Sequence, residues 1–280
     1  MLAFRPLSGG SALPQDRQRS RSAEEPTVDL SLPDPCADFG LPRTELTACA
    51  LRFVADAEPG FLYRHSVRSY LFARAVADAQ ELRPGVDYDD ELVFLGCVLH
   101  DLGLSEQGNG DQRFEVDGAD LAARFLREHG VDEARVAVVW DAVALHTSDG
   151  IAHRKGPEVA LTQAGAAVDV LGRGGERLPP GFADRVHAAF PRGDLAYAIT
   201  EAIIAQAREN PAKAGPLSFP GQVLRRRLPE GALPDWHDLI ARSIWGDRPL
   251  GRATGAAAGD ATPLADRSAR SCRPGRSSAL

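Results

Sequence analysis

The feature that most constrains the fold is the spacing of apolar residues, which follows the period of an α-helix from about residue 44 to residue 244. No segment shows the alternation of apolar and polar residues that is typical of a half-buried strand. Capping residues, glycines and prolines separate the periodic segments. The predicted helices span residues 44–57, 62–80, 89–103, 114–129, 132–146, 157–171, 194–209 and 235–244. The pattern therefore predicts an all-α fold.

The two ends of the chain differ in composition from the segment between them. Residues 1–42 are rich in Ser, Pro, Arg and Asp, and residues 248–280 are rich in Gly, Ala, Ser and Arg. Segments without apolar periodicity bury too little surface to offset the entropy of ordering. We therefore predict a disordered N-terminal tail (1–42), a single helical-bundle domain (43–247) and a disordered C-terminal tail (248–280), with the tails dispensable for folding.

Charge and composition argue against several classes of protein. The net charge is −7 and the pI is near 5.5, whereas nucleic-acid polymers and anionic membranes select a basic surface. The first 22 residues lack the apolar stretch typical of a signal peptide, and no segment approaches the roughly 18 apolar residues of a membrane span. The four cysteines lack the spacing of a metal site or a disulfide framework. We expect a cytoplasmic protein that binds a small molecule, not a nucleic acid or a membrane, and the oligomeric state stays open.

The most informative peptide is Leu99-His100-Asp101-Leu102-Gly103, which places two polar residues at the end of an apolar helix. Polar groups are costly there unless each has a partner. One divalent cation would satisfy both, because a neutral imidazole and a carboxylate are common metal ligands. Adjacent helical residues point about 100° apart, so both reach one ion only where the helix ends or the ion sits between them. The alternative is a His100 that caps the helix C-terminus and a solvated Asp101.

Two further residues favour the metal. His65 lies on the preceding predicted helix, and Asp169 lies in the apolar stretch 164–171. A carboxylate with apolar neighbours on both sides needs a partner or a metal if it is buried. The alternative for Asp169 is a surface ion pair with Arg173, four residues further along the helix. The predicted metal ligands are His65, His100, Asp101 and Asp169.

This order, His … His-Asp … Asp, resembles the signature of the HD-domain superfamily of metal-dependent hydrolases. The resemblance implies that residues 43–247 are a single HD domain whose helices converge on one divalent transition metal. Zinc is the metal that we expect for this ligand set, and Mn, Fe, Co and Ni are also compatible with it. Several motifs look like those of the cyanamide hydratase-like branch, and together they cover roughly residues 44–225. They are Phe61–Ser66, Leu92–Leu95, Leu99–Leu104, Phe114–Ala119, Leu145–Ser148 and Val170–Gly172.

Two residues between the His-Asp pair and the last aspartate are candidates for catalysis. Glu115 stands at a helix start, where the helix dipole favours its anion, and could move protons at the site; the alternative is a solvated charge. His146 ends an apolar run and could face the substrate or support a ligand. Some HD enzymes hold a second metal with extra histidines in this interval. Because His129 has the surroundings of a helix end and His153 those of a polar loop, we predict one metal.

The first expectation for function is metal-assisted hydration or hydrolysis of a small molecule. The resemblance implies a nitrile such as cyanamide, which water converts to urea. The runner-up is hydrolysis of a phosphoester such as a nucleotide, in which Arg68 or Lys155 would hold the phosphate. A dinuclear iron oxygenase would need a full second ligand set, and a regulatory module would bind metal without turnover. The lack of a clear cluster of phosphate-binding cations favours the first expectation.

Overall fold

The computed structural model describes residues 38–245, and within that range helices of one or more turns are joined by short loops. We number the α-helices after residue 44 in chain order. They are α1 (Glu45–Ala57), α2 (Gly60–Ala79), α3 (Asp90–Leu99), α4 (Phe114–Glu128), α5 (Glu133–Leu145), α6 (Pro157–Leu171), α7 (Phe182–Ala189), α8 (Leu195–Glu209), α9 (Phe219–Arg225) and α10 (Trp236–Ala241). Apart from one isolated bridge between Pro84 and Tyr88, this part of the chain contains no β-pairing, which confirms the all-α class.

Local sequence explains where most of these helices begin and end. Thr44 caps α1, Asp89 caps α3 and Asp132 caps α5, and each side chain accepts hydrogen bonds from backbone N–H groups of the first turn. Pro157 occupies the first turn of α6, and Gly172 ends that helix with a φ of 68°. These residues satisfy or avoid the unpaired backbone groups that every helix end leaves. The predicted boundaries of these helices are therefore close to the observed ones.

Three features differ from the sequence prediction. The apolar helix expected to reach Gly103 ends at Leu99, because the backbone turns at Asp101 and continues as a 3₁₀ helix over Leu102–Leu104. Helices α7 and α9 are absent from the prediction. Both are eight residues long or shorter, and the Pro-Gly pair that begins at Pro220 has the composition of a turn. Proline is compatible with the first turn of a helix, however, since its missing N–H would have no partner there.

Helices α2 and α6 form the centre of the bundle, and α3 packs against both. Every residue of α3 from Leu92 to Leu99 is buried, including Cys97, which is a small apolar core residue as expected. Several polar residues of α2 and α6 are buried as well, among them His65 and Asp169. Because a buried polar group needs a partner, the centre of the bundle is where a functional site is expected.

A glycine permits the contact between α2 and α6. A Cβ atom at Gly165 would lie 2.1 Å from the carbonyl oxygen of Ser69 and 3.0 Å from the backbone nitrogen of Ala73. Both atoms belong to the backbone of α2, which cannot move aside as the end of a side chain can. Gly165 is four residues before Asp169 on α6, so this close approach also fixes the distance between Asp169 and α2.

The substitution Gly165→Ala is expected to lower the free energy of unfolding by more than about 2 kcal/mol, because overpacking a core typically costs about 1–3 kcal/mol. Urea unfolding followed by circular dichroism measures the change. Gly215→Ala is the control, since a Cβ there meets no atom within 4 Å and the backbone φ is −53°. The control should change stability by no more than about 0.5 kcal/mol. Equal effects of the two substitutions would contradict the close helix contact.

Residues 195–228, which we call the C-terminal segment, carry a small apolar cluster of their own. Ile204, Ala207, Ala214 and Leu224 form it. Polar contacts join the segment to the rest of the bundle. The most buried of these is the ammonium group of Lys213, which lies 2.7 Å from a carboxylate oxygen of α4. The segment therefore has a defined position on the bundle, although its apolar cluster is separate from the main core.

The described chain divides after Pro229 into two units. Residues 38–229 form the first, and residues 230–245 belong to the second, which contains α10. Phe39 and Leu41, which the predicted boundary at residue 43 leaves outside the domain, pack on the main core of the first unit. The domain boundaries stay predictions, and most of the two predicted tails lies outside the described residues. None of the described helices combines the length and the apolarity that crossing a membrane requires.

Candidate metal centre

Four elements of the bundle bring polar side chains to one buried place. His65 comes from α2, His100 and Asp101 directly follow α3, and His146 directly follows α5. Asp169 comes from the last turn of α6. All five residues are buried. The elements that the sequence predicted to converge therefore do so.

His65, His100 and Asp101, which we call the His-Asp cluster, lie close enough to bind a single ion. The Nε2 atoms of the two histidines are 3.1 Å apart. Oδ2 of Asp101 lies 3.5 Å from Nε2 of His65 and 3.3 Å from Nε2 of His100. The adjacent residues His100 and Asp101 face the same point because α3 has ended: His100 is its C-cap, and Asp101 has φ −103° and ψ 8°.

Hydrogen bonds on the far side of each ring determine which nitrogen atom faces the cluster. Nδ1 of His100 lies 2.7 Å from the carbonyl oxygen of Cys97. Because a carbonyl only accepts, this nitrogen carries the hydrogen. Nδ1 of His65 likewise donates to Oδ2 of the Asp169 carboxylate at 2.6 Å. The two Nε2 atoms therefore turn lone pairs towards each other at 3.1 Å, an arrangement that needs a proton or a cation between them.

The charges of the cluster also favour a cation at this place. Burial would raise the pKa of the Asp101 carboxyl, but His100 and His65 hold it well below its usual range. Burial also disfavours the protonated form of His100, yet the adjacent Asp101 carboxylate raises the pKa of this imidazole above its ordinary value. The buried carboxylate thus keeps its charge and attracts positive charge to the imidazoles. A divalent cation would satisfy the same groups.

His146 has the same local geometry as His100. It is the C-cap of α5, and its Nδ1 donates to the carbonyl oxygen of Val143 at 2.7 Å. Its Nε2 lies 3.6 Å from Oδ1 of Asp101. Burial and the neighbouring His100 lower the pKa of His146 to about 4, so the ring is neutral near pH 7 and Nε2 keeps its lone pair. The structure therefore places His146 at the edge of the His-Asp cluster.

Asp169 lies behind His65 and not among the three residues of the cluster. Its carboxylate accepts hydrogen bonds from Nδ1 of His65 at 2.6 Å, from Nη2 of Arg68 at 2.8 Å and from Nη1 of Arg192 at 2.9 Å. Burial would raise the pKa of Asp169, but His65 and Arg68 hold it well below its usual range. In the structure this carboxylate orients His65, and its role as a fourth metal ligand stays a prediction.

Sequence reasoning missed the two arginines that bind Asp169. Arg68 is completely buried, and the available signal was its spacing of three residues from the histidine of α2. No sequence signal pointed to Arg192, which lies in the loop between α7 and α8. The alternative of a surface ion pair between Asp169 and Arg173 is wrong, because the exposed Arg173 side chain pairs with Asp149 at 2.8 Å.

Glu115 is completely buried at the start of α4, so its interpretation as a solvated charge is wrong. Its carboxylate accepts hydrogen bonds from Nε of Arg113 at 3.0 Å and from Oγ1 of Thr147 at 2.6 Å. Burial would raise the pKa of Glu115, but the hydrogen bond from Arg113 and the nearby His146 lower it below its ordinary value. Glu115 is therefore an anion that holds the Thr147 hydroxyl. Its role in proton transfer stays a prediction.

The other sequence candidates lie away from the cluster. His129 is the exposed C-cap of α4, and His153 is exposed in a short 3₁₀ helix. Lys155 pairs with Asp141 at 2.7 Å, and Arg68 is occupied by Asp169. The two cations that could have held a phosphate therefore do not line the cavity beside the cluster.

That cavity has a volume of about 180 Å³. Its lining includes the His-Asp cluster, His146 and Thr147. The rest of the lining is mostly apolar and consists of Phe114, Ala166, Ala167, Val170, Leu171, Ile199 and Phe219, together with the polar residues Asp149, Gln163 and Arg173. Sites for drug-sized ligands have volumes of roughly 300–1,000 Å³, whereas a cavity of about 150 Å³ holds benzene. A larger cavity of about 590 Å³ contains no residue of the cluster, so we place the chemistry in the smaller one.

The donor atoms fit a divalent transition metal. Imidazole nitrogens and a carboxylate oxygen are the ligands that zinc and its neighbours accept in proteins. The hydrogen bond that each Nδ1 donates is the support that metal-binding histidines usually have. His65, His100 and Asp101 would hold the ion. Further donors lie beside them in Asp169, which is hydrogen-bonded to His65, and in His146, whose Nε2 lies 3.6 Å from Asp101.

The model of the HD domain family matches residues 62–177, from the first turn of α2 to the loop after α6. This range includes His65, His100, Asp101, His146 and Asp169, and it ends before the C-terminal segment. No significant match was found among curated proteins.

Proposed function

Residues 62–177 belong to the HD-domain superfamily of metal-dependent hydrolases, and on that premise we propose that the chain is an enzyme that adds water to a small molecule at a metal held by the His-Asp cluster. His65, His100 and Asp101 would bind the metal, with Asp169 as the proposed fourth ligand. When bound, a divalent cation, for which we propose zinc, polarises the substrate and provides a water that ionises near neutral pH.

The small, mostly apolar cavity supports an uncharged substrate. Its volume of about 180 Å³ lies well below that of sites for drug-sized ligands. A phosphate dianion needs dedicated cations to stabilise its charge. Among the residues that line the cavity the one cation is Arg173, which is already paired with Asp149. We therefore propose a small neutral substrate, and specifically a nitrile such as cyanamide, to which water adds to give urea.

Residues beside the cluster can orient such a substrate. The Nε2 atom of His146 has a lone pair near pH 7 and can accept a proton or a hydrogen bond. Thr147 lines the same cavity. Its hydroxyl donates to Glu115 and accepts a long hydrogen bond of 3.4 Å from Nη2 of Arg113, so one lone pair of the Thr147 oxygen remains for an N–H group of the substrate. The polar end of a small substrate would turn towards these residues, and any apolar atoms would contact the apolar part of the lining.

The test compares reaction classes with the full chain loaded with Zn, Mn, Fe, Co or Ni in turn. We expect kcat/KM for cyanamide or a related small nitrile to exceed that for p-nitrophenyl phosphate and nucleoside monophosphates by at least about tenfold. Released urea, amide or phosphate is measured, and chelator-treated protein gives the background. Phosphoester turnover without reaction across a broad nitrile panel would overturn the proposal. It would favour a phosphohydrolase in which Arg173 leaves Asp149 to hold the phosphate.

The substitution Glu115→Gln is expected to retain the metal and lower kcat by about 10- to 100-fold, since a supporting residue usually contributes that much. Glutamine loses the charge that pairs with Arg113 and accepts more weakly from Thr147. Metal content, kcat and the pH profile of kcat are measured. If kcat of the variant depends on pH as in wild type, Glu115 positions other groups. If the rise or fall of kcat on one side of the pH optimum disappears, Glu115 transfers a proton. Glu106→Gln, at an exposed site, is the control; loss of metal from Glu115→Gln would contradict both roles.

A further inference from the structure

The C-terminal segment completes the wall of the cavity although it lies outside the match to the HD domain. Ile199 of α8 and Phe219 of α9 both line the cavity beside the His-Asp cluster. The remaining apolar residues of the wall come from α4 and α6, inside the match. The segment thus adds two bulky apolar side chains to the metal-binding domain at the place where a substrate would bind.

Phe219 lies one aromatic ring away from the residues of the metal centre. Its ring centroid is 6.5 Å from that of Phe114, and the ring of Phe114 is 5.7 Å from that of His146. Phe219 is 41% exposed, so it forms part of the mouth of the cavity and not of a closed core. Truncating it should therefore change the size of the cavity much more than the stability of the fold.

Polar contacts hold the segment in place near the cluster. Nε2 of Gln206 donates to the carbonyl oxygen of Gly103 at 2.8 Å, two residues after Asp101. Nζ of Lys213 donates to Oδ2 of Asp117 at 2.7 Å and to backbone and side-chain oxygens of residues 109–110. Lys213 and Asp117 are both buried, and separating a buried ion pair leaves uncompensated charge. Phe219 therefore belongs to a preformed wall.

We propose that Phe219, together with Ile199, determines the substrate specificity of the metal centre by limiting the substrate to about the size of a single six-membered ring. This inference rests on the proposed function and defines its substrate class. The substrate is a small uncharged molecule whose polar end meets the cluster, and any apolar group that it carries contacts Phe114 and Phe219. A cavity of about 150 Å³ accommodates benzene, and this one measures about 180 Å³.

The test measures how heterocycles of two sizes bind to the Co²⁺-loaded full chain. The visible absorption of Co²⁺ changes when imidazole or 4-phenylimidazole coordinates, so the readout requires no turnover. We expect wild type to bind imidazole at least about tenfold more tightly than 4-phenylimidazole, because apolar pockets discriminate misfitting groups by about 10–200-fold. Phe219→Ala should bring the two affinities to within about twofold, mainly by tighter binding of 4-phenylimidazole. Ile199→Ala should act in the same direction.

Leu217→Ala is the matched control. Leu217 belongs to the same segment, is 59% exposed and is not among the residues that line the cavity, so both affinities should stay unchanged. Equal binding of the two heterocycles to wild type, or no gain for 4-phenylimidazole in Phe219→Ala and Ile199→Ala, would overturn the size limit and leave the metal centre intact. Wild type that gives no Co²⁺ absorption would overturn the proposed function, and this inference with it.

Discussion

Replacing His100 with alanine, or Asp101 with asparagine, is expected to abolish metal binding and catalytic activity together. Each residue places a donor atom within 3.5 Å of another donor of the His-Asp cluster. Loss of a residue that only supports a ligand lowers metal affinity by about 10–100-fold, so loss of a ligand should lower it by more than about 100-fold. Elemental analysis after dialysis gives the metal content, and competition with a chelator gives the affinity.

His153→Ala is the matched control for this experiment, because His153 is exposed and lies outside the cluster. It should retain the metal and the activity of wild type. Thermal melting of the metal-free proteins shows whether each variant is folded. One tightly bound metal ion per chain in both His100→Ala and Asp101→Asn would show that the metal site has been assigned to the wrong residues.

The substitution Arg68→Met is expected to lower the free energy of unfolding by about 3–5 kcal/mol, the usual cost of removing one partner of a buried ion pair. Arg68 and the Asp169 side chain are both completely buried. Without the guanidinium, Asp169 keeps a buried charge with fewer donors, and the carbonyl oxygen of Phe190 loses the hydrogen bond from Nη1 of Arg68. Urea unfolding of the metal-free protein measures this loss.

Arg173→Met is the control, since the ion pair between Arg173 and Asp149 is more than half exposed. Exposed ion pairs contribute about 0–1 kcal/mol, so the free energy of unfolding of this variant should be close to that of wild type. The double variant Arg68→Met/Asp169→Leu should recover part of the lost stability, because two apolar residues often replace a buried ion pair without cost. A loss below about 1 kcal/mol in Arg68→Met would contradict the structural role of the pair.

The parts of the centre that could be predicted from the sequence are those that depend on local patterns. An apolar helix that ends in a histidine and an aspartate is visible within ten residues, and the apolar neighbours of Asp169 indicate its burial. His100 caps α3, as the alternative interpretation had it, and also faces the cluster. Asp101 is buried, so the part of that alternative that made it solvated is wrong. His100 keeps helical backbone angles, and the backbone leaves the helix at Asp101, so that Asp101 can face the same point as His100.

The parts of the centre that the sequence did not reveal depend on contacts between distant parts of the chain. Asp169 binds Arg192, 23 positions away, and not Arg173, four positions away, because the fold brings the loop after α7 to the metal centre. Periodicity cannot reveal this, since α7 has only eight residues. The wall of the cavity includes Phe219, whose helix has seven residues and an early proline. Side chains on such short helices contribute to a site through packing that sequence spacing does not encode.

His100 and His146 are each oriented by a main-chain carbonyl oxygen, so their orientation should survive replacement of the side chain of the residue that supplies it. Cys97 and Val143 supply only main-chain oxygens, and both lie in the last helical turn, where carbonyls are available to cap residues. Every residue type carries such an oxygen, so replacing either side chain does not remove the hydrogen bond directly. The orientation of His65 depends instead on side chains, chiefly that of Asp169 at 2.6 Å, with the Ser69 hydroxyl at 3.4 Å. A single base change can therefore release His65, whereas His100 and His146 stay oriented for as long as their helices end where they do.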